Sequence, residues 1–122
     1  MKYELSQKFY FEAAHTLHRS IDAEGSGRIH GHTYHAEATV EGPSDPDTGM
    51  VVDLAYFRDA ITHVRGLLDH QLLDEIHGLG PATLENLCRF IFAELGKRVS
   101  NLKTVSVERP ASGDRCTLAT QR

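Results

Sequence analysis

From His30 to Glu41 the chain alternates without interruption. His30, His32, Tyr34, Ala36, Ala38 and Val40 share one face, and Thr33, His35, Glu37, Thr39 and Glu41 take the other. A period of two over this length predicts a half-buried β-strand. Side chains two apart on a strand point the same way, so His30 and His32 converge while Gly31 faces away. A second alternating run lies upstream. Tyr3, Leu5, Phe9 and Phe11 form one face over residues 3–11, broken only by Gln7.

The remaining elements follow from period and punctuation. Residues 16–29 carry Gly25, Gly27 and scattered charge with no period, and read as a loop. The run from Gly42 through Pro43 and Pro46 to Gly49 is turn chemistry. Asp53 is placed to cap a helix in which Leu54, Phe57, Ile61, Val64 and Leu68 recur at steps of three and four, ending near His70. After Gly80-Pro81, Thr83 caps a second helix with the apolar stripe Leu84, Leu87, Cys88, Ile91 and Leu95. Residues 102–109 and 115–120 read as two closing strands. The order strand, strand, helix, helix, strand, strand predicts one α+β domain over residues 1–122, a four-stranded antiparallel sheet with two helices on one face.

Composition narrows the class. In 122 residues a net charge of −4 gives no basic footprint for nucleic acid, and no apolar run approaches a membrane span. Met1 to Gln7 lacks the apolar stretch of a signal peptide. Two cysteines, Cys88 and Cys116, make no disulfide framework. A cytoplasmic location is the expectation.

Three groups of residues carry candidate chemistry. His30 and His32, with His15 at the end of the neighbouring strand, offer three imidazoles with a fourth position open, the pattern of a catalytic zinc. The same donors accept iron, copper or nickel, and two strand histidines satisfied by hydrogen bonds are the plainer alternative. Asp69-His70, at the end of the first helix, suits a general acid/base pair, or a surface aspartate beside a histidine favoured by the helix C-terminus. Glu108, at a strand end, can accept two hydrogen bonds from an amidine-like N–H pair, or be solvated. Arg28, Arg19 and Lys8 are candidates for an anionic group, or ordinary surface charge.

Taken in order, Phe11-Glu12-Ala13-Ala14-His15, His30-Gly31-His32, Gly49-Met50-Val51-Val52-Asp53, Leu68-Asp69-His70, Thr83-Leu84-Glu85-Asn86-Leu87 and Val105-Ser106-Val107-Glu108 resemble the 6-pyruvoyltetrahydropterin synthase family over nearly the whole chain. The likeness is to its bacterial branch, the 6-carboxytetrahydropterin synthases of queuosine biosynthesis. The resemblance implies the tunnelling fold, with sheets joined into a barrel in a homohexamer built as a dimer of trimers, and active sites between subunits. It implies zinc (Zn2+) on His15, His30 and His32, proton transfer by Asp69 and His70, and a pterin ring anchored by Glu108. Thr83 becomes a pterin contact from a neighbouring subunit. The implied substrate is 7,8-dihydroneopterin triphosphate, and the implied products are 6-carboxy-5,6,7,8-tetrahydropterin, acetaldehyde and triphosphate.

The chain departs from that family at one chemically important place. The bacterial branch has a catalytic cysteine with three residues between it and the first histidine of the HGH triplet, and the animal branch has it with five between. Here those positions hold Ser26 and Glu24. A thiol ionises far more readily than an aliphatic hydroxyl. Three readings stay open: a serine working with help from Asp69-His70 or the metal, a paralogue that uses Glu24 to make 6-hydroxymethyldihydropterin, and a pterin- or metal-binding protein with impaired turnover. A cysteine changed to serine by engineering would leave the same pattern. A second departure follows Glu108, where Arg109-Pro110 replaces the common threonine.

Overall fold

The computed structural model describes residues 1–16, 24 and 27–120. Its centre is a long hairpin of β1 (Tyr3–His15) and β2 (His30–Gly42), antiparallel and in unbroken register from Tyr3↔Gly42 to His15↔His30. β1 runs past Phe11 through His15, because Ala13 and His15 continue the buried alternation that Phe11 begins. Small residues such as Ala13 and Ala14 are weak strand formers, so the ladder with β2 extends the strand where local propensity does not.

Helix α1 (Leu54–Leu68) and helix α2 (Leu84–Gly96) lie between this hairpin and a second one. Each begins where a side-chain oxygen satisfies free helix N–H groups. Asp53 accepts from the main-chain N–H of Ala55 and Tyr56, and Thr83 accepts from that of Asn86. The second hairpin is β4 (Leu102–Arg109) and β5 (Asp114–Ala119), turned with the help of Gly113 at φ 80°.

The sheet differs from expectation in one respect. It has five strands, in the order β3-β1-β2-β4-β5, because Gln71–Leu72 form a short β3 parallel to β1 at Ala13 and Ala14. Two residues cannot display a period, so the alternation that marks the other strands has no counterpart here. A tight reversal makes the pairing possible: α1 stops at Leu68, Asp69 is extended, and His70 takes the left-handed φ of 60°. A turn of 3-10 helix, Leu73–Glu75, follows directly.

One face of the sheet carries the core. Phe11, Tyr34, Ala36, Ala38, Val40, Val105 and Val107 are buried against the helical stripes of Phe57, Ile61, Val64 and Leu68 and of Leu87, Ile91 and Leu95. Full burial of each large side chain is worth roughly 1.5–3 kcal/mol. The rings of Phe11 and Tyr34 stack across β1 and β2 with centroids 5.0 Å apart. His15, His30 and His32 continue this helix-side row beyond the aromatic pair, at the end of the sheet. Among the described residues no helix is long and apolar enough to cross a membrane.

Candidate metal centre

The last residue of β1, His15, stands opposite the first of β2, His30, and His32 lies two residues further along the same face. The three ring centroids are 4.5 Å (His15–His30), 4.9 Å (His15–His32) and 4.9 Å (His30–His32) apart. One nitrogen from each ring lies within 4.8 Å of the others. His15 is buried, and among the described residues neither of its ring nitrogens has a hydrogen-bond partner, nor does Nε2 of His32. His30 Nδ1 lies 2.8 Å from the Arg28 carbonyl, which can only accept, so Nδ1 carries a proton and Nε2 is the nitrogen left to face a metal.

Orphaned buried nitrogens are costly unless something satisfies them. A metal ion would take one nitrogen from each of the three rings, and so satisfy one of the two on His15 and the one on His32, and three neutral imidazoles are a suitable donor set. The ionisation of His15 and His32 agrees with this. Burial first, then the neighbouring His30 and, further down, Arg109, hold His15 below the usual imidazole range, while the Thr16 main chain and Asp74 pull the other way. His32 is pushed down to about 4, by burial first and then by His15, Arg109 and His30. Both rings are therefore neutral near pH 7, with lone pairs available.

These shifts carry a pH dependence. In the unfolded chain both imidazoles titrate near pH 6.5. Below that pH the unfolded chain binds protons that the folded chain refuses, so stability is fully present above pH 6.5 and falls as pH drops toward 4. Metal-stripped protein should show a melting temperature that declines between pH 6.5 and 5, where most carboxylates are silent. A melting temperature level across that window contradicts the assignment.

Asp69 and His70 border the same end of the sheet. Asp69 Oδ1 accepts the Glu12 main-chain N–H at 2.9 Å, and the His70 N–H donates to the Glu12 carbonyl at 2.6 Å. Asp69 Oδ2 faces Arg65 at 3.2 Å and His70 Nε2 at 3.6 Å. The His70 side chain is 76% exposed, so its ring is free to exchange protons with a ligand or solvent. His70 and His32 line one cleft of about 520 Å³ with Glu12, Thr33 and Leu72.

The other expected residues stand apart. Glu108 lies opposite His35 on the helix-free face, its carboxylate 3.8 Å from Arg115, in a cleft of about 240 Å³ shared with Lys8, Tyr10 and Glu37. Thr83 opens α2 and lines a third cavity, of about 350 Å³, with Tyr34, Glu85, Arg109 and Asp114. Arg28 pairs with Glu24 at 2.7 Å, and both side chains are exposed. It is the Arg28 main chain, rather than its guanidinium, that touches the histidine cluster. Ser26 and Arg19 lie outside the described residues. Cys88 is buried, with its thiol pushed up to about 12 by burial first and then by Cys116, so it is packing and not a nucleophile.

Two residues near the cluster escape a reading of pattern alone. Arg109 faces the helix side, where its charge acts on His15, His32 and Tyr34. Asp74 binds Thr16, the residue after His15. The available signals were the departure at Arg109-Pro110 and the short spacing from Asp69-His70 to Asp74.

Fold and cluster together define an α+β domain with a preformed trio of histidines at one end of its sheet. A family model described as 6-pyruvoyl tetrahydropterin synthase matches residues 4–119, and the chain belongs to that family. It is 38% identical over 102 residues to a 6-pyruvoyl tetrahydrobiopterin synthase of Drosophila melanogaster, covering 72% of this chain and 61% of that protein. The chain thus spans less than two thirds of that relative's length. It is 33% identical over 108 residues to a 6-carboxy-5,6,7,8-tetrahydropterin synthase of Synechocystis sp., covering 83% of this chain and 81% of the relative. Among solved structures, a Caenorhabditis elegans 6-pyruvoyl tetrahydropterin synthase superposes with a TM-score of 0.87 at 27% identity, covering 99% of this chain and 97% of the other.

Proposed function

We propose that the protein is a zinc-dependent lyase that converts 7,8-dihydroneopterin triphosphate and one water to 6-carboxy-5,6,7,8-tetrahydropterin, releasing acetaldehyde and triphosphate. The observation that carries this reading is the trio His15, His30 and His32, with its unpartnered buried nitrogens, in a chain of this family. Zinc held there would supply Lewis acidity to oxygens of the substrate side chain. The relative from Synechocystis, matched over most of both chains, supports the carboxytetrahydropterin branch.

The chain's own groups have separable tasks. His70 moves protons at its exposed ring, and Asp69 orients it from 3.6 Å while anchored to β1. Glu108 holds the N–H edge of the pterin, for which Arg115 must yield its place. Arg28 binds phosphate oxygens by exchanging Glu24 for them. Rigid support of the ring keeps small displacements aligned with the reacting bonds. Within one chain Glu108 and Thr83 open into cavities separate from the histidines, which supports a site completed between copies; a homohexamer in the cytoplasm completes the proposal.

Incubation of the zinc-loaded protein with 7,8-dihydroneopterin triphosphate tests the reading. Acetaldehyde and 6-carboxytetrahydropterin are the expected products. Release of a two-carbon hydroxyaldehyde with 6-hydroxymethyldihydropterin would transfer the chemistry to Glu24, whose carboxylate is linked through Arg28 to His30. Tight pterin binding without turnover would leave only a binding protein.

A further inference from the structure

The three histidines are not held alike. His30 is fixed by the Arg28 carbonyl, and His32 sits within β2, paired to Ala13 with ladder on both sides. His15 has neither support. Its ring nitrogens are unpartnered among the described residues, and its pairing with His30 is the last rung of the hairpin. Its orientation therefore depends on what anchors the main chain just beyond it.

That anchor is a carboxylate. Asp74, in the 3-10 turn after β3, takes both donors of Thr16: Oδ1 accepts the main-chain N–H at 2.8 Å, and Oδ2 accepts the hydroxyl. Asp69 does the corresponding work at Glu12. The short parallel pairing of Ala13 and Ala14 with β3 is thus bracketed by two charged acceptors, one on each side. Hydrogen bonds to an ionised acceptor are about twice as strong as neutral ones, and two to one carboxylate fix direction as well as distance.

We propose that Asp74 is a positioning residue for the metal centre, clamping Thr16 so that the imidazole of His15 stays convergent with His30 and His32. This inference rests on the metal reading above and adds the residue that tunes the site from outside the ligand set. Outer groups that orient metal-bound histidines typically account for roughly 10–100-fold in affinity.

Zinc affinity, measured by chelator competition alongside the melting temperature of the metal-free protein, tests it. Asp74→Ala should weaken zinc about tenfold or more. Thr16→Val, which removes only the hydroxyl, should weaken it less, and it carries the test should Asp74→Ala fail to fold. Asp53→Ala is the structural comparison: it removes a carboxylate that also accepts two main-chain N–H groups, but at α1, remote from the histidines. It should lower the melting temperature and leave zinc affinity unchanged. Wild-type affinity in both Thr16→Val and Asp74→Ala overturns the proposal, as does a loss in Asp53→Ala that matches Asp74→Ala. Failure of the wild type itself to bind zinc overturns the metal reading instead.

Discussion

His30→Ala is expected to leave the protein folded and to abolish stoichiometric zinc. Free energies of about 10–16 kcal/mol for four-ligand sites put each ligand near 3 kcal/mol, so two remaining nitrogens bind at least about 10²-fold more weakly. The metal-free fold should lose little. His30 is only half-buried, and its removal also takes one ring from a cluster whose centroids lie 4.5–4.9 Å apart. The diagnostic quantity is the zinc-induced rise in melting temperature. At metal about 1,000-fold above Kd the wild type gains about 4 kcal/mol, a rise on the order of 10 °C for a chain of this size. In His30→Ala that rise should vanish while the metal-free melting temperature stays within a few degrees. Retained stoichiometric zinc would remove His30 from the ligand set, and a collapsed metal-free protein would make the histidine structural.

How far such a site can be read from residues alone depends on what repeats. The run from His30 to Glu41 is long enough to specify which side chains share a face, and the helix stripes and both caps are legible for the same reason. Register is a different matter. Alternation places His30 and His32 together, but nothing in it tells that Glu108 falls opposite His35 and so on the other face from the histidines. The pairing of β2 with β4 decides that, across more than sixty intervening residues. Nor does a two-residue strand or a carboxylate clamp repeat. β3 and the contacts of Asp69 and Asp74 exist because the main chain at the end of β1 needs partners, a tertiary demand with no local period. The cluster was therefore legible in its ligands and opaque in its supports.

Ser26→Cys should raise turnover of 7,8-dihydroneopterin triphosphate by about 10²-fold or more, the lower end of what a well-placed general base contributes. The resemblance to the bacterial branch implies a cysteine where this sequence has Ser26, and an aliphatic hydroxyl is a poor base at neutral pH, whereas a thiol near a metal or a cationic imidazole is readily ionised. Cys88 cannot stand in: it is buried on α2 with its ionisation pushed up to about 12, and its Sγ donates to the carbonyl of Cys116 on β5 at 3.4 Å. The gain should appear in kcat with zinc content unchanged, since residue 26 is not one of the three ligands. It should also follow thiolate formation as pH rises, and alkylation should erase it in the variant alone. An unchanged rate would take the base away from position 26. The same assay on Glu24→Gln then decides the matter, because loss of turnover there assigns the proton to the carboxylate paired with Arg28.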